Sequence, residues 1–373
     1  MTASLPTPFG PRRRQSPWRV AVRCDSRSPI WAIEQVAQAA VEALHRAGCL
    51  VRILTASHSE PQGDAFLRQL RVRGLDGAID LQAGWFPANT PVVEAWRFPL
   101  VSLGALPPNV KADVVTVDET AVARLALDHL WAVGHRRCGY LITLQMSHAQ
   151  HRFEAFEKEA RRKGMWDETL VLDLRARTDG DPWASLELDQ FDNVRQFFAQ
   201  QPKPFAMWSH NDFVSAALVE WLLERGYRVP ADVAVVGVDN HSLYALANVP
   251  LTTVSISYAE MGRQGAQLLL DRLGSLGNKP CRQVSLSSSL VVRQSTLLCG
   301  VAAEWLNATL SLVAERFAQG NLTQTILQRL GWRQDVFTQR FHRAMGCTLL
   351  QYRDRLRLEH AAQLLLNKPD AKT

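Results

Sequence analysis

The sequence of 373 residues lacks the features that mark membrane, secreted and zinc-binding proteins. It has no run of about 18 uncharged apolar residues, so no segment predicts a helix that spans a bilayer. The amino-terminal arginines are not followed by the apolar stretch of a secretory signal peptide. The six cysteines are scattered and form no CxxC pair, which argues against a disulfide framework or a structural zinc. We therefore expect a cytoplasmic protein with no membrane partner and no metal.

Motifs for catalysis are also missing. The sequence has no GxGxxG or GxxxxGK[ST] loop to bind a nucleotide phosphate, and neither HExxH nor GxSxG is present. Nothing marks a nucleophile, a general base or a cofactor site. The sequence thus favours a binding protein over an enzyme and gives no catalytic residue and no cofactor to assign.

The net charge of +6 is unevenly distributed along the chain. Residues 1–19 carry four arginines and no acidic residue, and residues 300–373 carry ten basic and six acidic residues. Basic ends suit a polyanion such as DNA, whereas the alternative is a solubilising tail combined with chance. Charge alone does not decide between the two. We predict that residues 1–17 form a disordered basic tail.

Short apolar runs alternate with longer amphipathic stretches between residues 18 and 298. This alternation predicts a doubly wound α/β fold, and about 280 residues are enough for two cores. Past residue 250 the pattern changes, and residues 281–296 predict a late strand or a hairpin. The predicted strands, which are buried on both faces of parallel sheets, are 20–24, 51–55, 77–81, 100–104, 138–142, 205–209 and 233–239.

From about residue 302 only helical patterns remain, which predicts a small all-α domain over 302–373. Its helices are predicted at 302–319, 323–330, 334–345 and 348–367. The spacing of the second and third helices is typical of a helix-turn-helix, whose second helix enters a major groove; a plain helical hairpin is the alternative. The polar side chains predicted to contact DNA are Arg333, Gln334, Thr338, Gln339, His342 and Arg343.

The segment FHRAMGCTLLQYRDRLRLEHAAQLLLN resembles the AraC/XylS family. The matching residues are Phe341, Gly346, Tyr352, Arg357, Leu358, Ala361, Leu364 and Leu365. The resemblance implies a linker helix that buries Leu358 among its apolar residues. It also implies a second helix-turn-helix, which this chain ends too early to contain, so the predicted domain is truncated. A further departure is Arg333 and Gln334, where the family usually has Ser followed by Arg.

Three segments of the α/β body resemble the effector domain of the LacI/GalR family. They are VVTVDETAVARLALDHLWAVGHRRCGYLI, HAQHRFEAFEKEARRKG and a stretch of some 67 residues beginning MWSHNDFVSAALVEWLLERG. The resemblance implies a periplasmic-binding-protein fold of two lobes with a sugar cleft between them. It implies lobe crossings near 117–120, 248–258 and 272–284.

In such effector domains an arginine, an asparagine and an aspartate at strand ends and helix starts contact the ligand. These positions correspond here to Arg152, Asn211 and Asp239. An arginine donates and a carboxylate accepts paired hydrogen bonds, which suits sugar hydroxyls. Trp208 is a candidate for stacking on the sugar, with core packing as its alternative. Asp25 is a candidate at the first strand end, with a solvated loop residue as its alternative.

The two resemblances together imply an AraC/XylS-family regulator of the xylose-operon type. The implied function is that of a sugar-responsive DNA-binding transcription regulator, with xylose or a related monosaccharide as effector. Its implied partners are operator DNA, the sugar and a second copy of the chain in a homodimer. The alternative is a sugar-binding protein whose helix-turn-helix no longer binds DNA specifically.

Overall fold

In the computed structural model, the alternation of strands and helices becomes two separate six-stranded sheets. The residues that the structure describes are 17–24, 30–55, 63–81, 93–94, 98–104, 106, 110–143, 147–175, 188–245, 247–275, 280–296, 304–317, 321–345 and 347–367. The predicted basic tail lies, except for residue 17, outside the described residues.

The strands and helices follow one another in the α/β order that the sequence predicts. The strands are β1 Arg19–Cys24, β2 Leu50–Thr55, β3 Gly77–Asp80, β4 Val93–Glu94, β5 Leu100–Leu103, β6 Val110–Lys111, β7 Asp113–Val117, β8 Cys138–Ile142, β9 Trp166–Asp173, β10 Phe205–Ser209, β11 Val233–Val238, β12 Thr252–Ile256, β13 Gln283–Leu286 and β14 Ser288–Val291. The helices are α1 Ile30–Arg46, α2 Gly63–Val72, α3 Glu119–Ala132, α4 Ser147–Lys163, α5 Asp192–Gln200, α6 Asp212–Glu224, α7 Ser242–Ala245, α8 Tyr258–Gly274, α9 Glu304–Arg316, α10 Leu322–Leu330, α11 Gln334–Met345 and α12 Leu349–Asn367.

The first unit comprises residues 1–118 and 257–287. Its sheet has the order β13–β7–β5–β3–β1–β2, and every pair is parallel. Helices α1 and α8 pack closely because Gly262 has no side chain: a Cβ there would lie 2.2 Å from the Val36 carbonyl oxygen. Arg272 and Asp113 form a buried ion pair with a nitrogen–oxygen distance of 2.7 Å, which ties α8 to β7.

The second unit comprises residues 119–256 and 288–373. Its sheet has the order β14–β12–β11–β10–β8–β9, with β14 antiparallel to β12. Strands β8, β10 and β11 are buried along their whole length, as expected for central strands covered on both faces. The sheet and its helices enclose an apolar core to which Phe198, Phe205 and Trp221 contribute.

The chain passes between the units after Asp118, after Ile256 and after Ser287. The first two positions fall within the ranges 117–120 and 248–258, whereas the third lies beyond 272–284. The reason is that β13 still pairs with β7 of the first unit, while β14 pairs with β12 of the second. The hairpin considered for this segment is therefore wrong, because its two strands belong to different sheets.

The carboxy-terminal segment is helical in every described element, with boundaries within a few residues of those predicted. Gly331 separates α10 from α11 and has φ +66°, a left-handed conformation that suits a helix end at glycine. These helices are grouped with the second unit and are not isolated from it, since the end of α11 contacts α3. One detail of the prediction is wrong: Leu358 of α12 is 73% exposed.

Candidate functional site

The candidate ligand-binding residues of the second unit lie where three neighbouring strands end. Strands β8, β10 and β11 are adjacent and parallel, so their carboxyl ends meet at one edge of the sheet. Ligands of open α/β sheets bind outside this edge. Asp239 follows β11 directly, and Asn211 lies two residues after the last residue of β10. Arg152 of α4 contacts His210, the residue between β10 and Asn211.

Arg152 is buried and its guanidinium is engaged within the protein. Its Nε and Nη2 donate to the two carboxylate oxygens of Glu119 at 2.7 and 2.9 Å. Its Nη1 donates to the carbonyl oxygen of His210. Arg152 therefore joins the start of α3, helix α4 and the end of β10. Its predicted contact with a sugar stays a prediction, and any ligand oxygen there competes with Glu119.

Asn211 has a structural task at the start of α6. Its Oδ1 accepts a hydrogen bond from the backbone N–H of Val214 at 2.9 Å, which makes it the N-cap of the helix. Ser209 donates to the Asn211 carbonyl oxygen at 2.9 Å and contacts the hydroxyl of Ser215. The backbone at this strand end is thus fixed, and the asparagine is held facing the edge with 7% of its surface exposed.

Asp239 lies on a turn whose backbone is unusual. Asp239 and Asn240 have φ values of +115° and +59°, which non-glycine residues rarely adopt and which mark functional loops. Arg293 donates to the Asn240 Oδ1 at 2.9 Å and holds the turn. Asp239 is half-buried, and its N–H donates to the Val254 carbonyl oxygen of β12 at 2.9 Å.

A second carboxylate, Asp212, lies beneath this turn. Its Oδ2 accepts the backbone N–H of His241 at 2.8 Å. Burial, and next the charge of Asp239, raise the pKa of Asp212 well above its usual value. Gly237 permits the approach, because a Cβ there would lie 2.1 Å from the Asp212 Oδ1. The turn therefore presents the half-buried Asp239 to solvent and keeps Asp212 inside as a supporting acceptor.

His210 is a site residue that the sequence analysis did not single out. It is 1% exposed, and its Nε2 has no hydrogen-bond partner among the described residues. Burial, and next the neighbouring His148 and Arg152, lower the pKa of His210 well below its usual value. A neutral imidazole with one unpaired nitrogen can accept or donate one hydrogen bond. The signal in the sequence was its position directly before the Asn–Asp pair.

The other two predicted ligand residues are not brought to this edge in the described residues. Trp208 is fully buried in β10 and packs against Tyr140 and Phe156, with ring centroids 5.7 and 5.2 Å away. This is the core-packing alternative, and neither ring face is open to a sugar. Asp25 lies outside the described residues.

The first unit has a polar pair at the equivalent edge of its own sheet. Arg23 is the penultimate residue of β1 and Asp80 is the last residue of β3, and the two strands are paired in parallel register at these residues. Both are buried, and an Arg23 Nη1 lies 3.5 Å from an Asp80 carboxylate oxygen. The pair could not be predicted from the sequence, because each residue alone is an ordinary polar residue near the end of a strand.

Helix α11 presents a polar face away from its packed side. The spacing predicts an inward face of Val336, Phe337, Phe341 and Met345. The last three are buried, whereas the prediction is wrong for Val336, which is 39% exposed. The candidate DNA-contacting residues Arg333, Gln334, Thr338, Gln339 and His342 are all exposed. All of these except Arg333, together with Asp335, line a shallow surface depression.

Two features of this face bear on DNA binding. Arg333 is paired with Asp335, with a nitrogen–oxygen distance of 2.9 Å, so its guanidinium is shared between an internal carboxylate and any phosphate. The side chain of Arg343 lies outside the described residues. The function of the face stays a prediction.

The described residues contain no group of three or more His, Cys, Asp or Glu side chains placed to hold a metal ion. None of the helices among them combines the length and apolar character needed to cross a membrane.

The comparisons with known proteins concern mainly the α/β body. Residues 127–296 match the family described as periplasmic binding protein-like domain. The HTH-type transcriptional repressor MelR of Bacillus subtilis (strain 168) is 29% identical over 196 residues, which are 52% of this chain and 54% of MelR. The HTH-type transcriptional repressor CytR of Escherichia coli (strain K12) is 25% identical over 229 residues, which are 61% and 64% of the two chains. The chain thus spans between half and two thirds of these relatives.

Solved structures match over a longer part of the chain. A complex of the transcriptional regulator CelR with cellobiose has a TM-score of 0.61 and 26% identity, and the match covers 75% of this chain and 85% of CelR. A lac repressor dimer bound to operator and the anti-inducer ONPF has a TM-score of 0.60 and 21% identity, over 76% and 83% of the chains. The second likeness shows the fold alone. The two-sheet periplasmic-binding-protein fold is therefore confirmed.

The identification of the chain as an AraC/XylS-type regulator is wrong. The matched relatives are the repressors MelR and CytR, and one matched structure is the transcriptional regulator CelR. A pattern of apolar residues at helical spacing recurs in many helical hairpins, which is why the carboxy-terminal resemblance misled. The resemblance of the α/β body to LacI/GalR effector domains agrees with the same matches.

Proposed function

We propose that the chain is a cytoplasmic, sugar-responsive, DNA-binding transcription regulator that acts as a homodimer. Its effector is xylose or a related monosaccharide, bound at the carboxyl edge of the second sheet. The observation that carries the proposal is the convergence of Arg152, His210, Asn211 and Asp239 at this edge. The supporting likeness is to regulators, one of which forms a complex with cellobiose.

The polar edge has the chemistry that a monosaccharide requires. A half-buried carboxylate accepts hydrogen bonds from vicinal hydroxyls, and a neutral imidazole adds a single donor or acceptor. Groups held by other hydrogen bonds lose little freedom when a ligand binds, and Asn211 and the 239–240 turn are both held in this way. The edge is thus suited to a small polar ligand of defined shape.

The DNA-binding part of the proposal assigns α10 and α11 as a helix-turn-helix. Both helices are short, a left-handed glycine joins them, and the polar face of α11 is exposed at its amino-terminal half. Side chains in that half of a recognition helix contact base edges. We propose that ligand binding in the α/β body alters how two copies of this helix meet an operator.

Calorimetric titration tests the sugar site. The ligands titrated are xylose, other pentoses, hexoses, cellobiose and a nucleoside. The protein variants are Asp239→Asn and, as a matched control, Asp232→Asn. Asp232 precedes the other end of the same strand and pairs with Arg228. We expect Asp239→Asn to weaken binding of one sugar about tenfold or more and Asp232→Asn to leave it unchanged. Equal affinities in both variants, or no binding of any sugar, would overturn the proposal.

A second candidate function is sugar sensing without DNA binding. The Arg333–Asp335 ion pair favours it, since an acidic residue on the reading face repels phosphates. Fluorescence anisotropy on DNA upstream of the protein's own operon, with and without the sugar, separates the two. Specific binding that the sugar changes supports the regulator, and binding no tighter than to random duplex supports the second candidate. Sedimentation velocity of the full chain tests the dimer.

A further inference from the structure

His129 joins the carboxy-terminal helices to the α/β body through both of its ring nitrogens. It lies in the last turn of α3 and is 1% exposed. Its Nδ1 is 2.5 Å from the carbonyl oxygen of Ala344 in α11. Its Nε2 is 2.8 Å from the hydroxyl oxygen of Thr296, in the turn that follows β14. One buried side chain therefore contacts two segments that are far from it in sequence.

The chemistry of the partners fixes the position of every proton in this contact. A carbonyl oxygen only accepts, so Nδ1 carries the hydrogen and donates to Ala344. Burial lowers the pKa of His129 to about 4, so the ring is neutral at physiological pH and Nε2 accepts. Thr296 must then donate its hydroxyl hydrogen to Nε2 and accept on its oxygen.

The donor to Thr296 is Thr252, the first residue of β12. The two hydroxyl oxygens are 2.8 Å apart. Thr252 accepts the N–H of Arg293 at 2.9 Å, and its one hydroxyl hydrogen is shared with the Arg293 carbonyl oxygen at 3.0 Å. From Thr252 onward the hydrogen bonds run in one direction, through Thr296 and His129 to Ala344, while Thr252 and the backbone of Arg293 donate to each other. Chains of this kind polarise one another, and a fully satisfied buried chain is rigid.

Each end of this chain lies at a place where a hydrogen bond matters. Ala344 is buried in the last turn of α11, where carbonyl groups have no partner within the helix. Because a buried carbonyl needs a hydrogen-bond partner, His129 supplies it. At the other end, the carbonyl oxygen of Val254 in β12 accepts the N–H of Asp239. Strand β12 therefore contacts the candidate sugar site and the hydrogen-bond chain within three residues.

The geometry points to His129 as a positioning residue that fixes the carboxyl end of α11 to strand β12. A displacement of β12 is passed through Thr252 and Thr296 to the imidazole, and from it to the helix that presents Gln334, Thr338 and Gln339. The assignment of that helix to DNA and of Asp239 to a sugar rests on the proposed function. The link between β12 and α11 does not depend on the proposed function, and its test needs neither DNA nor sugar.

Neighbouring threonines of β12 provide a matched pair of variants. Thr252 and Thr253 are both fully buried, but successive side chains of a strand point to opposite faces. The Thr253 hydroxyl accepts the N–H of Asn240 at 3.2 Å and faces the site turn. Thr252→Val therefore removes one hydroxyl of the hydrogen-bond series that ends at Ala344, and Thr253→Val removes an equally buried hydroxyl outside that series. Thr296→Val removes the direct partner of His129, and Thr296→Ser restores a hydroxyl.

Hydrogen–deuterium exchange on the full chain measures how firmly the end of α11 is held. We expect Thr296→Val to accelerate exchange in the last turn of α11 about tenfold. Thr252→Val should accelerate it by a smaller factor, because Thr296 still donates to His129. Thr253→Val and Thr296→Ser should leave this turn within about twofold of the wild type.

Nitrogen-15 spectra of histidine-labelled protein add a readout that loss of packing alone does not move. We expect a protonated Nδ1 and an unprotonated Nε2 for His129. The Nε2 resonance should shift in Thr296→Val and stay unchanged in Thr253→Val. The spectrum of His129→Gln, which lacks the His129 signals, assigns them. A protonated Nε2, an unchanged α11 in Thr296→Val, or equal acceleration by Thr252→Val and Thr253→Val would each overturn the proposal. If Thr296→Val does not fold, the Thr252 and Thr253 variants decide it alone.

Discussion

The second unit holds polar residues in two contrasting settings. At the sheet edge, Arg152 and Asn211 are buried and bonded to other parts of the chain. On α11, Gln334, Thr338 and Gln339 are exposed. The first setting fixes a shape that can select one small ligand, whereas the second leaves donors free to adapt to a long, regular polyanion.

Substitutions in the two settings should therefore differ in their effect on stability. A change at the sheet edge disturbs groups that support one another, so its effect on stability should be large and inseparable from binding. A change on the polar face of α11 should leave stability almost unchanged.

Gly237→Ala should have the largest effect. The added Cβ would lie 2.1 Å from the Asp212 Oδ1 and 2.9 Å from a methyl carbon of Leu251. Because Asp212 is buried and accepts the His241 N–H, it cannot move without breaking the site turn. We expect a loss of about 3 kcal/mol in the free energy of unfolding. The measurement is urea denaturation of the full chain followed by tryptophan fluorescence.

Gly274→Ala is the control for that substitution, because a Cβ there meets nothing within 4 Å. Its free energy of unfolding should stay within about 0.5 kcal/mol of the wild type. A Gly237→Ala variant as stable as this control would show that the turn tolerates displacement of Asp212.

Arg152→Ala should follow. The substitution leaves Glu119, whose side chain is 18% exposed, without the guanidinium that binds both its oxygens. A mostly buried carboxylate left without its partner costs about 2 kcal/mol. Arg46→Ala on α1 is the control, since both members of its ion pair with Glu42 are exposed and the pair should contribute below about 0.5 kcal/mol. Equal unfolding midpoints in urea for the two variants would contradict the buried ion pair.

The buried histidines predict a dependence on pH. Burial lowers the pKa of His129 to about 4 and that of His135 to about 3, whereas an unfolded histidine titrates near 6.5. The unfolded chain therefore binds more protons below pH about 6.5, so stability is complete above that pH and falls towards pH 4. Each such histidine contributes at most about 1.4 kcal/mol per pH unit.

Thermal unfolding between pH 7.5 and 5 should therefore show a falling midpoint, and His129→Gln should flatten this slope. His151→Gln replaces an exposed histidine of α4 and should leave the slope as it is. A slope that is the same in all three proteins would mean that His129 does not titrate on unfolding.

The fold could be predicted well where burial is complete. Strands β8 and β10 have the predicted bounds, because a strand covered on both faces is a continuous apolar run. Strand β9, Trp166–Asp173, was not predicted, since only two of its eight residues are buried and it includes Asp167 and Glu168. The alternation of residues also cannot tell which sheet a strand joins, which is why β13 and β14 suggested a hairpin.

The candidate site could be predicted only in part. Asn211 and Asp239 stand out because they lie within two residues of a strand end. The partners of Arg152 could not be predicted, because Glu119 and His210 are 33 and 58 residues away in sequence and only the packing of α3 and α4 brings them together. Leu358 shows the converse error: its helical spacing suggested burial, but an apolar face is buried only where another element covers it.

Asp335→Asn should have the smallest effect and should act on DNA binding alone. The substitution releases the exposed Arg333 from its ion pair and costs almost no stability. Affinity for random duplex DNA should rise about two- to threefold at low salt, with the slope of log affinity against log salt steeper by up to about 1. Asp354→Asn is the matched control: it adds the same charge on α12, where Asp354 pairs with Arg353 and Arg357. Fluorescence anisotropy over a salt series measures both variants, and equal gains would mean that net charge, and not the polar face of α11, attracts the DNA.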